Sequence, residues 1–260
     1  MTTKTTNMTL GVAACSVCVA AAAVLVGLAG AARSKGPIPL KEAKLNIEHN
    51  AIDHDTGFQG FIDSEGWDHI EVLGPNGVVL RFEGRGALGA LGLTELFFES
   101  VEPENADLPI DELLKNLPAG KYTFKGREMI NRESSGETIG VAWLTHDIPA
   151  GPELLWPARG GTVPVEDLVI RWGTVTRSLK GAPVKIIAYQ LIVEKDVAPH
   201  PHMIGKWGLS MYLPPTVASM AVPKGFLEPH TAYKWEVLAI EESGNQTLSS
   251  GEFKTAGATH

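Results

Sequence analysis

From Leu45 to Thr255 the apolar residues recur at period two in short runs, each closed within a few positions by Gly, Pro or Asn. An amphipathic helix needs apolar residues three and four apart over about ten or more positions, so this pattern points to β-strands almost throughout. In the first half the runs are KLNIEH, HIEVLGPNGVVLRFEG, KYTFKGREM and TIGVAWLTHD. In the second they are ELLWPA, DLVIRWGTV, VKIIAYQLIVEK, LSMYLPP, ASMAVP, TAYKWEVLAIEE and QTLSSGEFKT. The turn residues agree: in Gly74-Pro75-Asn76-Gly77 the Pro fixes φ and the Gly supplies positive φ for a tight hairpin. Two stretches carry helical spacing instead, Ile110 to Asn116 behind a Pro, and LGLTELFFES from Leu91.

The chain has 260 residues, more than one typical domain, and its 44% hydrophobic content is enough for a core in each half. The strand pattern pauses at THDIPAGP, Thr145 to Pro152, which sets a boundary between a first β-rich domain at 45–148 and a second at 149–256. The expected fold is all-β, two tandem β-sandwich-like domains, the second immunoglobulin-like with seven short strands. Residues 32–44, polar with two prolines, read as a linker.

Ahead of it, MTTKTTNMT is followed by LGVAACSVCVAAAAVLVGLAGA, free of charge until Arg33. This is the layout of an export signal, with Ala29-Gly30-Ala31 as the small residues before cleavage, so residues 1–31 are a signal peptide. The same run approaches the length of a spanning helix, which leaves an uncleaved membrane anchor as the alternative. VAAC at Cys15 is similar to a lipobox, but most of the apolar run follows it rather than precedes it. Cys15 and Cys18 are the only cysteines, so the remainder holds no thiol, no disulfide and no cysteine nucleophile. An exported chain stabilised by its core alone suits a bacterial envelope, periplasmic or extracellular. Acids outnumber bases 30 to 22 with no basic stripe, which excludes a nucleic-acid partner.

The second half resembles a fibronectin type III domain from about Pro152 to Thr255. Trp172 ends the LVIRW strand, Tyr189 lies in the next, and LEPHTAYKWEVLAI supplies Leu227, Pro229, Thr231, Tyr233, Val237 and Ala239. SGNQT and GEFKT then close the domain as a last hairpin. The resemblance implies structural roles for Trp172, Tyr189, Leu227, Tyr233 and Val237, with Tyr233 as a tyrosine corner bonding backbone near Leu227 to Pro229. Periodicity independently puts Tyr233, Trp235, Val237 and Ala239 on one strand face, with Lys234, Glu236 and Leu238 on the other. The first domain carries no comparable resemblance.

Motifs for chemistry are few. Gly84-Arg85-Gly86-Ala87-Leu88-Gly89 spells G-x-G-x-x-G, yet the strand before it is a hairpin arm and no βαβ unit follows, so a glycine-rich turn is the expected reading. Glu95, Glu99, Glu102, Glu104 and Asp107 form an acidic run whose spacing selects no catalytic pair. His200-Pro201-His202 is the closest histidine pair and lacks a third ligand, and no G-x-S-x-G elbow occurs. No catalytic residue and no cofactor is expected. The weak metal candidates are Asp53, Asp55 and Asp63, oxygen ligands among glycines suited to calcium, although Gly57 and Ser64 break an EF-hand register. Trp207, in a long loop, is the candidate partner contact. The sequence thus predicts an exported non-enzymatic binding or structural module for a protein or polysaccharide partner, touching a membrane only through its N-terminal segment. The alternative is an exported carbohydrate-active enzyme or its accessory glycan-binding module.

Overall fold

The computed structural model describes residues 37–257; the expected signal at 1–31 lies outside them. The described residues belong to one compact unit, Ser34–His260, built almost wholly of strands. The first half contains β1 (Ile38–Pro39), β2 (Glu42–Asn50), β3 (Asp55–Gly74), β4 (Gly77–Glu83), α1 (Gly86–Leu91), β5 (Leu93–Glu99), α2 (Ile110–Asn116), β6 (Gly120–Ile130) and β7 (Glu133–Leu144). The second contains β8 (Leu154–Trp156), β9 (Gly161–Val163), β10 (Val169–Trp172), β11 (Ile186–Lys195), β12 (Gly208–Leu213), β13 (Ser219–Ala221), β14 (Ala232–Glu241) and β15 (Gln246–Thr255).

The first half is organised by β3, which serves two sets of neighbours in turn. Asp55 to Asp63 lies between β2 and β5; after a register break between Asp63 and Trp67, the remainder lies between β4 and β6. Gly66 sits at the break, where a Cβ would come within 2.4 Å of the Met129 carbonyl oxygen, so a side chain there would force the strands apart. The core gathers Ile47, Ile62, Trp67, Ile70, Tyr122, Phe124 and Leu144, and α2 covers it with Leu113 and Leu114. Each large side chain buried this way contributes roughly 1.5 to 3 kcal/mol before conformational entropy is subtracted.

The second half is a two-layer β-sandwich. One layer is β13-β10-β8 and the other runs β15-β14-β11-β12, with β9 pairing parallel to β15. Between the layers lie Ile170, Trp172, Tyr189, Leu191, Tyr233, Trp235, Val237 and Phe253. Tyr189 and Trp172 meet with ring centroids 5.8 Å apart, and Tyr233 stacks on Phe253 at 5.4 Å.

The halves are joined edge to edge. β2 pairs parallel with β15, setting Glu48, His49 and Asn50 against Gln246, Thr247 and Leu248, so that one twelve-stranded sheet runs through both. Asn245, fully buried, holds the joint: its carbonyl accepts from the Ile47 N–H at 2.9 Å, and its amide donates to Thr145 O, Thr145 Oγ1 and Asp147 O. Two expectations change. LGLTELFFES forms strand β5 rather than a helix, because Leu96 and Phe98 face the core at period two while Glu95, Phe97 and Glu99 face out. From residue 37 on, the expected linker instead contributes β1 and the start of β2, held by a Thr138 hydroxyl donating to the Ile38 carbonyl and by Leu40 N–H donating to Ile139 O.

Candidate binding face

The joint between the sandwiches has a consequence for the surface. Because β2 and β15 are in register, side chains of one parity form a single face across β5, β3, β2, β15, β14, β11 and β12. Row by row it reads Phe97, Phe61, Lys44; then Glu99, Gln59, Asn46; then Gly57, Glu48, Gln246, Ile240, Ala188; then Leu248, Leu238, Gln190, Tyr212; then Glu236, Ile192, Ser210. Val141 and Trp143 of β7 stand beside Ala43 and Leu45 and complete a groove of about 1040 Å³. Most strands in a sandwich turn one apolar face inward and one polar face outward. Here the outward face retains large rings: Tyr212 is 70% exposed, Trp143 66% and Phe97 59%. Large exposed rings gathered along one groove mark a candidate interaction site.

At the end of the groove nearest β5, the carboxylates of Glu48, Glu99 and Glu102 lie within 4.8 Å of one another, close enough to share one cation. Their protein partners are amides. Gln246 donates to Glu48 Oε2, Gln59 donates to Glu99 Oε1 at 2.7 Å, and Gln246 also donates to Gln59 Oε1 at 3.0 Å. Burial, then repulsion from Glu48, Glu99 and Asp55, pushes the Glu102 carboxyl up to about 7. Burial also raises Glu48, against the lowering effect of the Gln246 bond. Asp55 is raised too, by burial first and then by Asp53, and its Oδ1 is buried without a partner.

The other candidates fall elsewhere. Asp55 and Asp63 are eight residues apart on one regular stretch of β3, which at ~3.3 Å per residue is about 26 Å. Asp63 therefore cannot join Asp53 and Asp55 around one ion, and Asp53 is occupied by the Asn50 amide at 2.9 Å. The G-x-G-x-x-G run forms a tight turn into the six-residue α1, with Gly86 at φ +57° and no space for a Cβ on Gly89, which would sit 2.5 Å from Gly84 O. His200 and His202 are in van der Waals range, ring centroids 5.6 Å apart, with His202 N–H donating to His200 Nδ1. Trp207 is partly exposed, lies 5.9 Å from the Lys195 ammonium and does not line the groove. The structural set is buried in the second core: the Tyr233 hydroxyl accepts from the Glu228 N–H at 2.8 Å, the Tyr189 hydroxyl accepts from the Val175 N–H at 2.7 Å, and Leu227 belongs to the same buried cluster as Val237 and Trp172.

Sequence reasoning singled out Glu99 and Glu102 within an acidic run but missed Glu48 and Gln246, which reach the same face from β2 and β15. It also missed Trp143, Tyr212 and Phe97. A signal existed in β7, where Val141 and Trp143 alternate with the core residues Ala142 and Leu144, so both faces of one strand are apolar.

No family model matches the chain, and no curated protein matches it. Among solved structures it is similar to the FN1–FN3 domains of chicken CNTN1, with a TM-score of 0.32, 10% identity and coverage of 85% of this chain. It spans 65% of that chain's length. It is also similar to a two-domain fibronectin type III segment of chicken tenascin, with a TM-score of 0.30 and 13% identity, covering 83% of this chain and 99% of that one.

Proposed function

We propose that this protein is an exported, non-catalytic binding module that captures a protein or glycan partner across the face running from β5 to β12. One observation carries the reading: a sheet that spans both sandwiches turns Phe97, Trp143 and Tyr212 to solvent along a single groove. Residues 1–31 serve in this reading as a signal peptide or an anchor, holding the module in the periplasm or outside the cell. No helix among the described residues is long and apolar enough to cross a membrane.

The test compares the protein with its Trp143→Ala, Tyr212→Ala double variant as bait for a panel of polysaccharides and for exported proteins of the source cell. Loss of capture with an unchanged melting temperature supports the reading; equal capture defeats it. Turnover of any polysaccharide would replace it with the enzymatic alternative.

A further inference from the structure

We infer that the partner of this face is a protein segment carrying Arg or Lys between apolar side chains, its cation seated against Glu48, Glu99 and Glu102. The inference rests on the binding-face reading above and adds the chemistry of the occupant.

The charges on the face are unevenly answered. Glu236 has Lys234 at 3.3 Å, Glu242 has Lys185 at 2.9 Å, and Glu42 is paired with Lys44. Glu48, Glu99 and Glu102 form no ion pair among the described residues, and Gln59 and Gln246 offer them only neutral donors. The charged groups beyond them that face the trio, Asp55 on β3 and Glu236 on β14, are acidic as well. Glu99 stands two residues from Phe97 on the same strand face. A partner that covers Phe97 and Phe61 must therefore also strip water from the Glu99 end of the groove. Stripping water from a carboxylate group with no counter-ion is unfavourable, so a productive partner brings positive charge to that point.

This requirement separates the occupants. A second copy of the chain, with a net charge of -8 and the same acidic face, brings the wrong sign. A neutral glycan covers the rings but leaves the carboxylates unanswered. An Arg fork between Leu-like side chains supplies both halves, since its planar donors match paired carboxylates and its neighbours fill the apolar rows beside Phe97 and Ile240. Burial first, and then repulsion among these carboxylates, raises Glu48 and Glu102, and a bound cation would relieve the second of these.

The probe is a capped peptide of alternating Leu and Arg, measured by calorimetry on the full chain beside the same peptide with neutral citrulline in place of Arg. The expected result is binding that weakens about tenfold or more with citrulline, and by a similar factor in Glu99→Gln, Glu102→Gln. Glu133→Gln and Glu166→Gln, exposed acids outside the groove, should change nothing, which separates the groove from general attraction to an acidic protein. Failure of the Arg peptide to bind, equal binding of the citrulline peptide, or indifference to Glu99→Gln, Glu102→Gln overturns the inference. So does a rise in melting temperature with millimolar calcium that the Glu99→Gln, Glu102→Gln variant abolishes when the peptide does not bind, since the trio would then be an ion site. If Trp143→Ala, Tyr212→Ala still loses capture of the natural partner while that capture ignores Glu99→Gln and salt, only the cationic occupant is wrong. If the aromatic variant loses nothing, the binding face falls with it.

Discussion

At the scale of single residues, two hydroxyls close the second sandwich. Tyr233 opens β14 with its ring between Phe226 and Phe253 and its hydroxyl under the Glu228 N–H; Tyr189 does the same for Val175 from β11. A phenylalanine keeps the ring and its packing but leaves a backbone N–H without its partner, which costs about 1 to 3 kcal/mol. Tyr233→Phe should lower the urea midpoint accordingly while leaving the slope of the transition unchanged. An unaltered midpoint would mean that water replaces the hydroxyl and that the ring alone matters. This residue was legible in the sequence because its roles are local: the donor N–H lies five positions upstream, and the period-two pattern from Tyr233 to Ala239 assigns the inward face without knowledge of any other strand. Glu48 was not legible for the opposite reason. Its neighbours Glu99, Glu102 and Gln246 come from distant parts of the chain, and no local pattern records that meeting.

At the scale of elements, the strands were mostly readable and β5 was not. Leu93, Leu96 and Phe97 satisfy helical spacing while Leu96 and Phe98 satisfy the strand period, and only the pairing of Phe61 with Phe97 and Gly60 with Phe98 decides between them. The strand and the turn after it place Glu99 and Glu102 against β2, and this gives the molecule a pH response whose sign can be worked out. The Glu102 carboxyl lies near 7 in the folded protein against an ordinary 4.5, so between these values the folded state binds the extra proton. Its contribution to stability is complete below about 4.5 and is lost as pH rises through about 7; Glu48, also raised, acts in the same direction. Buried His49 works the other way, since desolvation depresses it below 6.5 and its contribution is lost as pH falls. The comparison that isolates the carboxyl is therefore Glu102→Gln against the native chain. The native protein should lose more of its melting temperature between pH 5 and pH 8 than Glu102→Gln does, whereas parallel profiles would show that Glu102 titrates at an ordinary value.

At the scale of the whole molecule, the two sandwiches keep separate apolar cores, and what joins them is mainly hydrogen bonding along one edge. The parallel register of β2 on β15 is short. It is supplemented by the Thr247 hydroxyl donating to Pro149 O at 2.5 Å, by the Lys180 and Asp111 pair at 2.7 Å, and above all by Asn245. The exposed Lys180 pair is worth little in water, while a fully buried amide with partners on β2 and on the segment between the sandwiches fixes their register. Asn245→Ala would leave the Ile47 N–H and two carbonyls without a partner, at a cost of about 2 to 4 kcal/mol. Since neither core contains Asn245, that loss falls on the coupling between them. Calorimetry of the native chain should show one transition; Asn245→Ala should separate it into two, and should also weaken capture across the groove, because Glu48 and Gln246 keep their places only while β2 and β15 stay in register. Thr145→Val, which removes one Asn245 acceptor and the Ser243 contact but spares the Ile47 bond, should give a smaller shift without splitting the transition. A single, merely lowered transition in Asn245→Ala with capture intact would show that the continuous sheet does not depend on this side chain, and that the groove is held by the two cores themselves.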